Sequence, residues 1–256
     1  MPGAPLILAY HGVGGAGGST LRVEPEQFEF QMRHLSTHNL RGSSLEQMDS
    51  GGAHPPSPGS VGLTFDDGYE DNYRVALPIL QTYGFTATVF LVTDYVGTDR
   101  PLEHDRLAGR SAETSRLVSW SQVREMADLG FRFGSHTCTH PDLTRLDDGD
   151  LERELEASKH TIEDRTGRAV EYFCYPEGWV DERVIRAVEA AGYRGAVLTP
   201  HSPRFHRDTP FTRIRTGVYR HTSPVAFRIK TSSGYQRAVR SAVGFRLIRR
   251  LSRKEG

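Results

Sequence analysis

Two adjacent carboxylates follow a short apolar stretch and could combine metal binding with proton transfer. Asp66 and Asp67 come directly after "VGLTF" and precede a glycine. The apolar stretch is typical of a strand, and adjacent side chains at a strand end point in opposite directions. One carboxylate can therefore hold a cation while its neighbour moves a proton. A surface Asp-Asp-Gly turn is the simpler alternative.

A second group of metal-binding residue types follows another apolar stretch. His136 and His140 stand four positions apart in "GSHTCTH", just after "FRF". If the chain turns helically there, the two imidazoles lie on one face and can bind one ion. Two histidines and one carboxylate, with other positions open to water, are typical of a catalytic metal, which lowers the pKa of bound water and polarises a carbonyl. A solvated helix face is the alternative.

These motifs belong to a chain in which strand and helix patterns alternate. The expected strands are short apolar or β-branched segments, at 6–11, 61–65, 86–92, 131–136, 169–175, 195–199 and 211–218. The expected helices are longer amphipathic segments, at 25–39, 70–83, 120–129, 148–166 and 181–191. This alternation predicts a mostly parallel α/β sheet, and seven strands favour a barrel. Both motifs fall at carboxyl ends of strands, where such sheets bind ligands.

Two stretches show neither the alternating pattern of a strand nor the periodicity of an amphipathic helix. Segment 41–60 is rich in Ser, Gly and Pro, and we expect a plain connection there. Segment 93–117 is long, polar and aperiodic, and a loop of that length in a compact domain is usually functional or mobile. His104 lies in the second segment and could join the site, although a solvated histidine is the simpler interpretation.

Composition limits the classes of function. The 256 residues are enough for a sizeable core, and 32 basic residues balance 32 acidic ones, which gives no argument for nucleic acid as a partner. Cys138 and Cys174 are too few for a disulfide framework. No apolar run is long enough to span a membrane, and no signal peptide is evident. We therefore expect a cytoplasmic monomer.

The C-terminal part of the chain differs in charge from the rest. We expect a barrel over residues 1–222 and a basic amphipathic tail over 223–256. Val243, Leu247 and Leu251 in this tail fall at helical spacing among arginines. Such a helix can lie on an anionic membrane surface, which would make the protein peripheral, or it can pack on the barrel and expose its arginines.

Three motifs together resemble the polysaccharide deacetylases of carbohydrate esterase family 4, also known as the NodB-homology domain. The motifs are "TFDDGY" at 64–69, "SHTCTHPDL" at 135–143 and "FCYPEG" at 173–178. The resemblance covers about residues 5–220 and implies an α/β fold, a distorted (β/α)7 barrel in a single domain. It also implies one divalent metal ion, Zn²⁺ first with Co²⁺, Ni²⁺ or Mn²⁺ as alternatives, and hydrolysis of an N-acetyl group on an amino sugar.

The resemblance also implies roles for individual residues. Asp66 matches the catalytic base of the family, and the metal ligands of the family match Asp67, His136 and His140. One wall of the substrate groove matches Tyr175, Pro176, Glu177 and Gly178. Trp179 follows this wall and could stack on a sugar ring or belong to the core.

The third motif departs from the family pattern at two positions. Cys174 replaces an arginine that orients the base, and Glu177 replaces a tyrosine whose backbone N–H can face an oxyanion. Arg213 or Arg215, in "FTRIRTGV", could supply the missing guanidinium, and we select Arg213 as the base-orienting residue. An exposed surface arginine is the alternative for each. Cys138 could be a metal ligand, but we expect a free thiol because the family has none there.

The general acid of the family is also missing from its usual place. The family carries it in a late Leu-x-His strand, and neither His201, His206 nor His221 stands in such a strand. The opening "LILAYHG" can fill the same barrel slot, as in the permuted, biofilm-polysaccharide type of deacetylase. We therefore assign His11 as the general acid. The alternatives are a histidine hydrogen-bonded at a strand end, or a structural Asp66 with His11 activating the water.

The expected function is metal-dependent removal of N-acetyl groups from an amino-sugar poly- or oligosaccharide, with release of acetate. The same chemistry on a lipid-linked or small-molecule amino sugar, or on an O-ester, is an alternative. An inactive carbohydrate-binding homologue is an alternative of another class. The complete set of Asp66, Asp67, His136 and His140 argues against inactivity.

Overall fold

The computed structural model describes residues 5–14, 19–49, 59–111, 114–199 and 208–240. Its strands are β1 (Leu6–Tyr10), β2 (Gly12–Val13), β3 (Arg22–Val23), β4 (Arg41–Ser43), β5 (Ser60–Phe65), β6 (Thr88–Leu91), β7 (Arg132–Ser135), β8 (Tyr172–Cys174), β9 (Gly195–Val197) and β10 (Thr216–Gly217). Its helices are α1 (Pro25–Thr37), α2 (Leu45–Asp49), α3 (Leu77–Thr82), α4 (Glu103–Leu107), α5 (Trp120–Asp128), α6 (Asp148–Thr166), α7 (Glu182–Ala190), α8 (Pro224–Thr231) and α9 (Ser233–Arg240). A π-helical turn precedes α3, and short 3-10 turns follow β7 and β8.

The main sheet is parallel and curls into a distorted barrel. Its strands lie in the order β10-β1-β5-β6-β7-β8-β9, with β4 beside the first half of β5, while β2 and β3 pair separately. The segment leading into β10 closes the curl: Arg213 exchanges backbone hydrogen bonds with Ala196 and Leu198 beside β9, and Gly217 pairs with Ala9 of β1. The predicted α/β barrel is confirmed, with β1 between β10 and β5.

Aromatic packing fixes the end of β1 against the end of β5. All five residues of β1 are buried, as expected for a strand covered on both faces. Tyr10 stacks on Phe65 with ring centroids 5.4 Å apart, and Phe28 of α1 packs edge-on against both rings. The residues that follow the two strands, His11 and Asp66, are thereby held at one rim of the barrel.

The long helices form where their periodicity predicts. α6 spans Asp148–Thr166 as expected; the Asp147 side chain caps its first turn, and it ends at Gly167, whose φ of 64° is left-handed. Three other expected helices are confirmed and are a few residues shorter than expected, those at 25–39, 120–129 and 181–191. The helix expected at 70–83 is confirmed as a π-helical turn that continues into α3.

The two stretches without periodicity contain short elements. Segment 41–60 holds β4 and α2, so the expectation of a plain connection is wrong, although residues 50–58 lie outside the described part of the chain. Segment 93–117 holds α4. Elements of three to five residues span too few turns to show a period.

The predicted tail is only partly described. α8 and α9 occupy its first half, and residues 241–256 lie outside the described residues. In the part of the chain that the structure describes, no helix has both the length and the apolarity to cross a bilayer. Contact of the tail with a membrane, and the cellular location, stay predictions.

Candidate metal and proton-transfer site

The carboxyl ends of β5 and β7 bring three of the predicted residues together. Asp67 Oδ1 lies 3.6 Å from Nε2 of His136 and 3.7 Å from Nε2 of His140. One ligand atom from each residue lies within 4.8 Å of the other two. Burial lowers the pKa of both histidines, so they are neutral near pH 7, which is the form that binds a metal. The cluster exists as expected, and its role as a metal centre stays a prediction.

The two histidines converge through a turn with left-handed residues, and not through the helical turn that would be one way to bring them together. Thr137 and His140 have φ values of 71° and 64°, in a region that non-glycine residues seldom occupy. The Thr137 hydroxyl accepts the His140 backbone N–H at 2.9 Å. Below the turn, Glu154 of α6 accepts the backbone N–H groups of Cys138 and Thr139 at 2.7 and 3.0 Å. These contacts replace the helical hydrogen bonds that the spacing suggested.

The cluster fits a divalent cation. Nδ1 of His136 lies 2.7 Å from the Cys174 carbonyl oxygen, an acceptor, so Nε2 is free to face Asp67. Oδ2 of Asp67 is buried and has no hydrogen-bond partner among the described residues. Burial raises the pKa of Asp67 to about 7, against the opposing charge of His104. A cation among these atoms would hold Asp67 ionised, as a bound ion does in metal sites.

The neighbouring carboxylate, Asp66, lies in a buried ion pair. Arg215 donates from Nη1 to Oδ1 and from Nη2 to Oδ2, each over 2.7 Å. The remaining guanidinium N–H groups reach Leu198 O, Thr64 Oγ1 and Cys174 Sγ, so all five donors have partners. Burial alone raises the pKa of Asp66, but the guanidinium outweighs it and holds that pKa well below its usual range.

The selection of Arg213 as the base-orienting residue is corrected to Arg215. Arg213 donates to Asp49 of α2 at 2.7 Å and lies beside β9, whereas Arg215 lies next to β1 and reaches Asp66. The two arginines are two residues apart in the segment 211–218 that the sequence predicts as one strand, where they would share a face, so the sequence could not separate them. Cys174, where the family has arginine, leaves room for the Arg215 guanidinium, 3.2 Å from its sulfur.

His11 reaches the same rim from the end of β1. Its Nε2 lies 3.9 Å from Asp66 Oδ2. Burial lowers the pKa of His11 to about 4, although the charge of Asp66 opposes this. The His11 ring thus lies at the rim beside Asp66 and is neutral near pH 7, and its role as the general acid stays a prediction. Of the other candidates, His201 and His206 lie outside the described residues, and His221 is exposed.

The structure adds His104, which the sequence left as a solvated residue. α4 carries it to the cluster, with Nε2 3.7 Å from Asp67 Oδ2 and the ring centroid 5.4 Å from that of His140. The Tyr69 hydroxyl lies 3.0 Å from the same Nε2. The signal in the sequence was a histidine inside the long polar segment 93–117. That signal was weak because tertiary packing decides which site a loop residue reaches.

Two exposed side chains lie in and just after the third motif, and one of them reaches the cluster. The Glu177 carboxylate lies within 4.8 Å of ring nitrogens of His104 and His140. Trp179 is 44% exposed, so its ring is available to a ligand. Both positions agree with a groove wall, and contact with substrate stays a prediction for each.

The other three residues assigned to the groove wall are buried. The Tyr175 ring packs against Phe173, and its hydroxyl donates to the Phe211 carbonyl at 3.0 Å. Pro176 and Gly178 are buried in the turn that follows. The Tyr175 ring is part of the core, so only the backbone of this residue can belong to a groove wall, and substrate binding by these three residues stays a prediction. These residues set the backbone path that presents the exposed ones.

Backbone strain concentrates at this site. Five non-glycine residues of the described chain have positive φ, and four of them belong here: Asp67, Thr137, His140 and Glu177. The fifth, Asn39, lies just after α1. Each such conformation costs on the order of 1–3 kcal/mol and persists only where the surroundings fix it. The strain agrees with a site whose geometry is set by function.

The sequence is similar to proteins of known family. The family model described as polysaccharide deacetylase matches residues 53–196. YxkH of Bacillus subtilis, provisionally named a polysaccharide deacetylase, is 30% identical over 199 residues, 75% of this chain and 63% of that protein. The poly-beta-1,6-N-acetyl-D-glucosamine N-deacetylase of Staphylococcus aureus is 26% identical over 187 residues, 67% of this chain and 59% of that protein. The chain therefore spans about three fifths of the length of these relatives.

The fold is similar to solved structures over nearly the whole chain. A polysaccharide deacetylase from Bacillus cereus superposes with a TM-score of 0.73 and 26% identity, covering 90% of this chain and 69% of that one. The Streptococcus pyogenes deacetylase PplD, solved in complex with acetate, gives a TM-score of 0.75 at 23% identity and covers 91% and 100%. The second likeness concerns the fold alone.

Proposed function

Because this chain belongs to the polysaccharide deacetylase family, we propose that it is a metal-dependent hydrolase that removes N-acetyl groups from an amino-sugar poly- or oligosaccharide. The products are acetate and a free amine on the sugar. The observation that carries the proposal is the buried cluster of Asp67, His136 and His140, with the paired carboxylate of Asp66 next to it. The complete cluster argues against an inactive binding homologue.

We assign one divalent ion, Zn²⁺ first, to Asp67, His136 and His140. When bound, such an ion lowers the pKa of a coordinated water and polarises the acetamide carbonyl. The chain supplies neutral histidines, one of them oriented by the Cys174 carbonyl, and a turn held by Glu154. These features support a preorganised centre.

Asp66 and His11 divide the proton transfers in this proposal. Asp66 accepts the proton of the attacking water, and the two hydrogen bonds from Arg215 keep its carboxylate ionised and fixed in direction. His11 delivers a proton to the departing nitrogen, because an amine anion is a very poor leaving group. Its Nε2 lies 3.9 Å from Asp66 Oδ2, so one bridging water would carry the proton that Asp66 takes up to the neutral imidazole, which then gives it to the nitrogen.

The exposed wall of the site supports a sugar substrate. Trp179 presents 44% of its surface beside the third motif, and an accessible indole face stacks well on a sugar ring. The Glu177 carboxylate lies within 4.8 Å of ring nitrogens of His104 and His140, and the backbone N–H of Glu177 is our candidate donor to the oxyanion of the tetrahedral intermediate. The named substrate of the Staphylococcus aureus relative, a polymer of N-acetylglucosamine, agrees with this chemistry.

Acetate release across substrate classes tests the proposal. Zinc-loaded protein is offered polymeric and oligomeric β-1,6-linked N-acetylglucosamine, a lipid-linked N-acetylglucosamine, and a matched O-acetyl ester, with His136→Ala as control. We expect acetate from the first two and none from the control. Release from the lipid-linked substrate alone, or from the ester alone, would overturn the polysaccharide assignment.

A further inference from the structure

His11 stands at a corner of the chain between two sheets. β1 ends at Tyr10 in the main sheet, and β2, which pairs with β3, begins at Gly12. Nδ1 of the His11 ring is buried without a hydrogen-bond partner among the described residues. Nε2 lies 3.9 Å from Asp66 Oδ2, which is too long for a direct hydrogen bond. The place of the imidazole is therefore set by packing and by the backbone that carries it.

The segment that carries the two adjacent carboxylates fixes the backbone on both sides of His11. The backbone N–H of Asp66 donates to the Tyr10 carbonyl at 2.9 Å, and Nδ2 of Asn72 donates to the His11 carbonyl at 2.8 Å. These two carbonyls belong to the two peptide units that flank the His11 Cα. Because each peptide unit is planar, fixing both of them fixes the direction in which the His11 side chain leaves the backbone.

Asn72 is itself held in a defined orientation. The residue is 1% exposed, and its backbone N–H donates to the Tyr69 carbonyl at 2.9 Å. Its Nδ2 also donates to Asp71 Oδ1 at 3.1 Å. The carbonyl of His11 and the carboxylate of Asp71 are both acceptors, so the NH₂ end of the Asn72 amide must face them. The Asn72 side chain thus offers its donors to the backbone that carries His11.

The residue after His11 packs against the same segment. Arg22 pairs with Asp71 and donates from Nη2 to the Thr114 carbonyl at 2.5 Å. A Cβ on Gly12 would lie 2.8 Å from Asp71 Oδ2 and 2.9 Å from Arg22 Cγ, closer than van der Waals contact. This buried ion pair therefore lies directly against the Gly12 backbone, which cannot shift in that direction.

We propose that Asn72 is a positioning residue for the proton donor: its amide holds the His11 backbone so that the imidazole stays beside Asp66. The inference rests on the proposed function, in which His11 protonates the departing nitrogen, and adds a residue that neither binds the metal nor transfers a proton. Displacing a reacting group by about 1 Å can lower a rate about 100-fold. The loss should appear only where the proton from His11 is needed.

Turnover of two substrates by the zinc-loaded full chain tests this role. Asn72→Leu keeps the size of the side chain but removes its N–H donors, and we expect turnover of an N-acetyl amino sugar to fall by up to about 100-fold. Hydrolysis of an activated aryl acetate and the zinc affinity should stay at the wild-type level, which also shows that the variant is folded. Asn72→Ala removes the same donors without apolar volume and should show the same selective loss.

A double variant separates action through His11 from a general structural role. In a His11→Ala background, Asn72→Leu should have no further effect on the N-acetyl substrate, because no imidazole is left to position. Arg74→Ala is the matched control, since Arg74 belongs to the same π-helical turn and its side chain is 62% exposed, and it should behave as the wild type does on both substrates.

Three results would overturn the inference and leave the proposed metal-dependent function intact. They are wild-type turnover of the N-acetyl substrate in Asn72→Leu or Asn72→Ala, equal losses on both substrates, and a full additional loss in the His11→Ala background. Absence of acetate release by the zinc-loaded wild type would instead overturn the proposed function itself.

Discussion

Arg215 meets Asp66 end-on, with Nη1 2.7 Å from Oδ1 and Nη2 2.7 Å from Oδ2. Cys174, on β8, stands where the family pattern has an arginine, and its sulfur lies 3.2 Å from the same guanidinium. The guanidinium therefore comes from the segment that closes the barrel rather than from the third motif. The short Cys174 side chain leaves the space that the Arg215 guanidinium occupies.

Replacing Arg215 should affect both turnover and stability. Arg215→Met leaves the Asp66 carboxylate buried without its partner, which typically costs about 3–5 kcal/mol of unfolding free energy. We expect turnover of an N-acetylated oligosaccharide to fall about 100-fold or more, because the base loses its fixed direction. Arg213→Met is the matched control, since Arg213 pairs with Asp49 and should leave turnover near that of the wild type. Wild-type turnover in Arg215→Met would rule out the orienting role.

Removal of Glu154 should loosen the turn between the two histidines. Glu154→Ala leaves the backbone N–H groups of Cys138 and Thr139 without their acceptor, and the buried one, that of Cys138, costs about 1–3 kcal/mol when it is left unsatisfied. We expect a lower urea midpoint and a Zn²⁺ affinity about 10-fold weaker than that of the wild type. Glu152→Ala, on the exposed side of the same helix, is the control. Unchanged zinc affinity in Glu154→Ala would show that the turn between the two histidines keeps its conformation without Glu154.

The order of the main strands and helices could be predicted because their apolar patterns extend over enough residues to be recognised. β1 and β5 are continuous apolar runs because both faces are covered, and α6 is long enough to show a helical face. α2 and α4 have five residues each, too few to reveal a period. The sequence analysis therefore did not predict these two helices.

The site could be predicted only as far as sequence spacing fixes it. Asp67, His136 and His140 converge because β5 and β7 end at one rim, although the turn that joins the histidines is left-handed and not helical. Arg215 and His104 depend on which strand closes the barrel and on where α4 packs. Those are long-range contacts, which no local pattern records.

Glu46, which is not part of the candidate metal cluster, should make the stability of the protein depend on pH. Burial raises the pKa of Glu46 from 4.5 to about 7, and the hydrogen bond from Thr88 opposes this only in part. Because the folded pKa exceeds the unfolded one, the protonated carboxyl contributes fully below pH 4.5, and its contribution is lost as the pH rises to about 7. The difference corresponds to roughly 3 kcal/mol at most.

Urea unfolding of Glu46→Gln and the wild type, at pH 5 and pH 8, measures this effect. The amide does not ionise, so we expect Glu46→Gln to gain stability over the wild type at pH 8 and much less at pH 5. An identical pH dependence in both proteins would show that Glu46 ionises in the fold as it does in the unfolded chain.

His11 should matter for amides and not for activated esters. His11→Ala removes the proton donor to the leaving nitrogen, so turnover on an N-acetyl amino sugar should fall by about 10²–10⁴-fold. An activated aryl acetate needs no proton on its leaving group, so its hydrolysis and the zinc affinity should be nearly unchanged. The exposed His221→Ala serves as control. Equal losses on both substrates would remove His11 as the acid.

The central claim is that Asp67, His136 and His140 hold one divalent ion on which amide hydrolysis depends. Its most direct test is a titration of metal-free protein with Zn²⁺ while acetate release from an N-acetylated amino-sugar oligosaccharide is followed. We expect no release from the metal-free protein, a rise to a plateau at one Zn²⁺ per chain, and neither tight binding nor release in His140→Ala. Full turnover by the metal-free protein, or wild-type binding and turnover in His140→Ala, would contradict the claim.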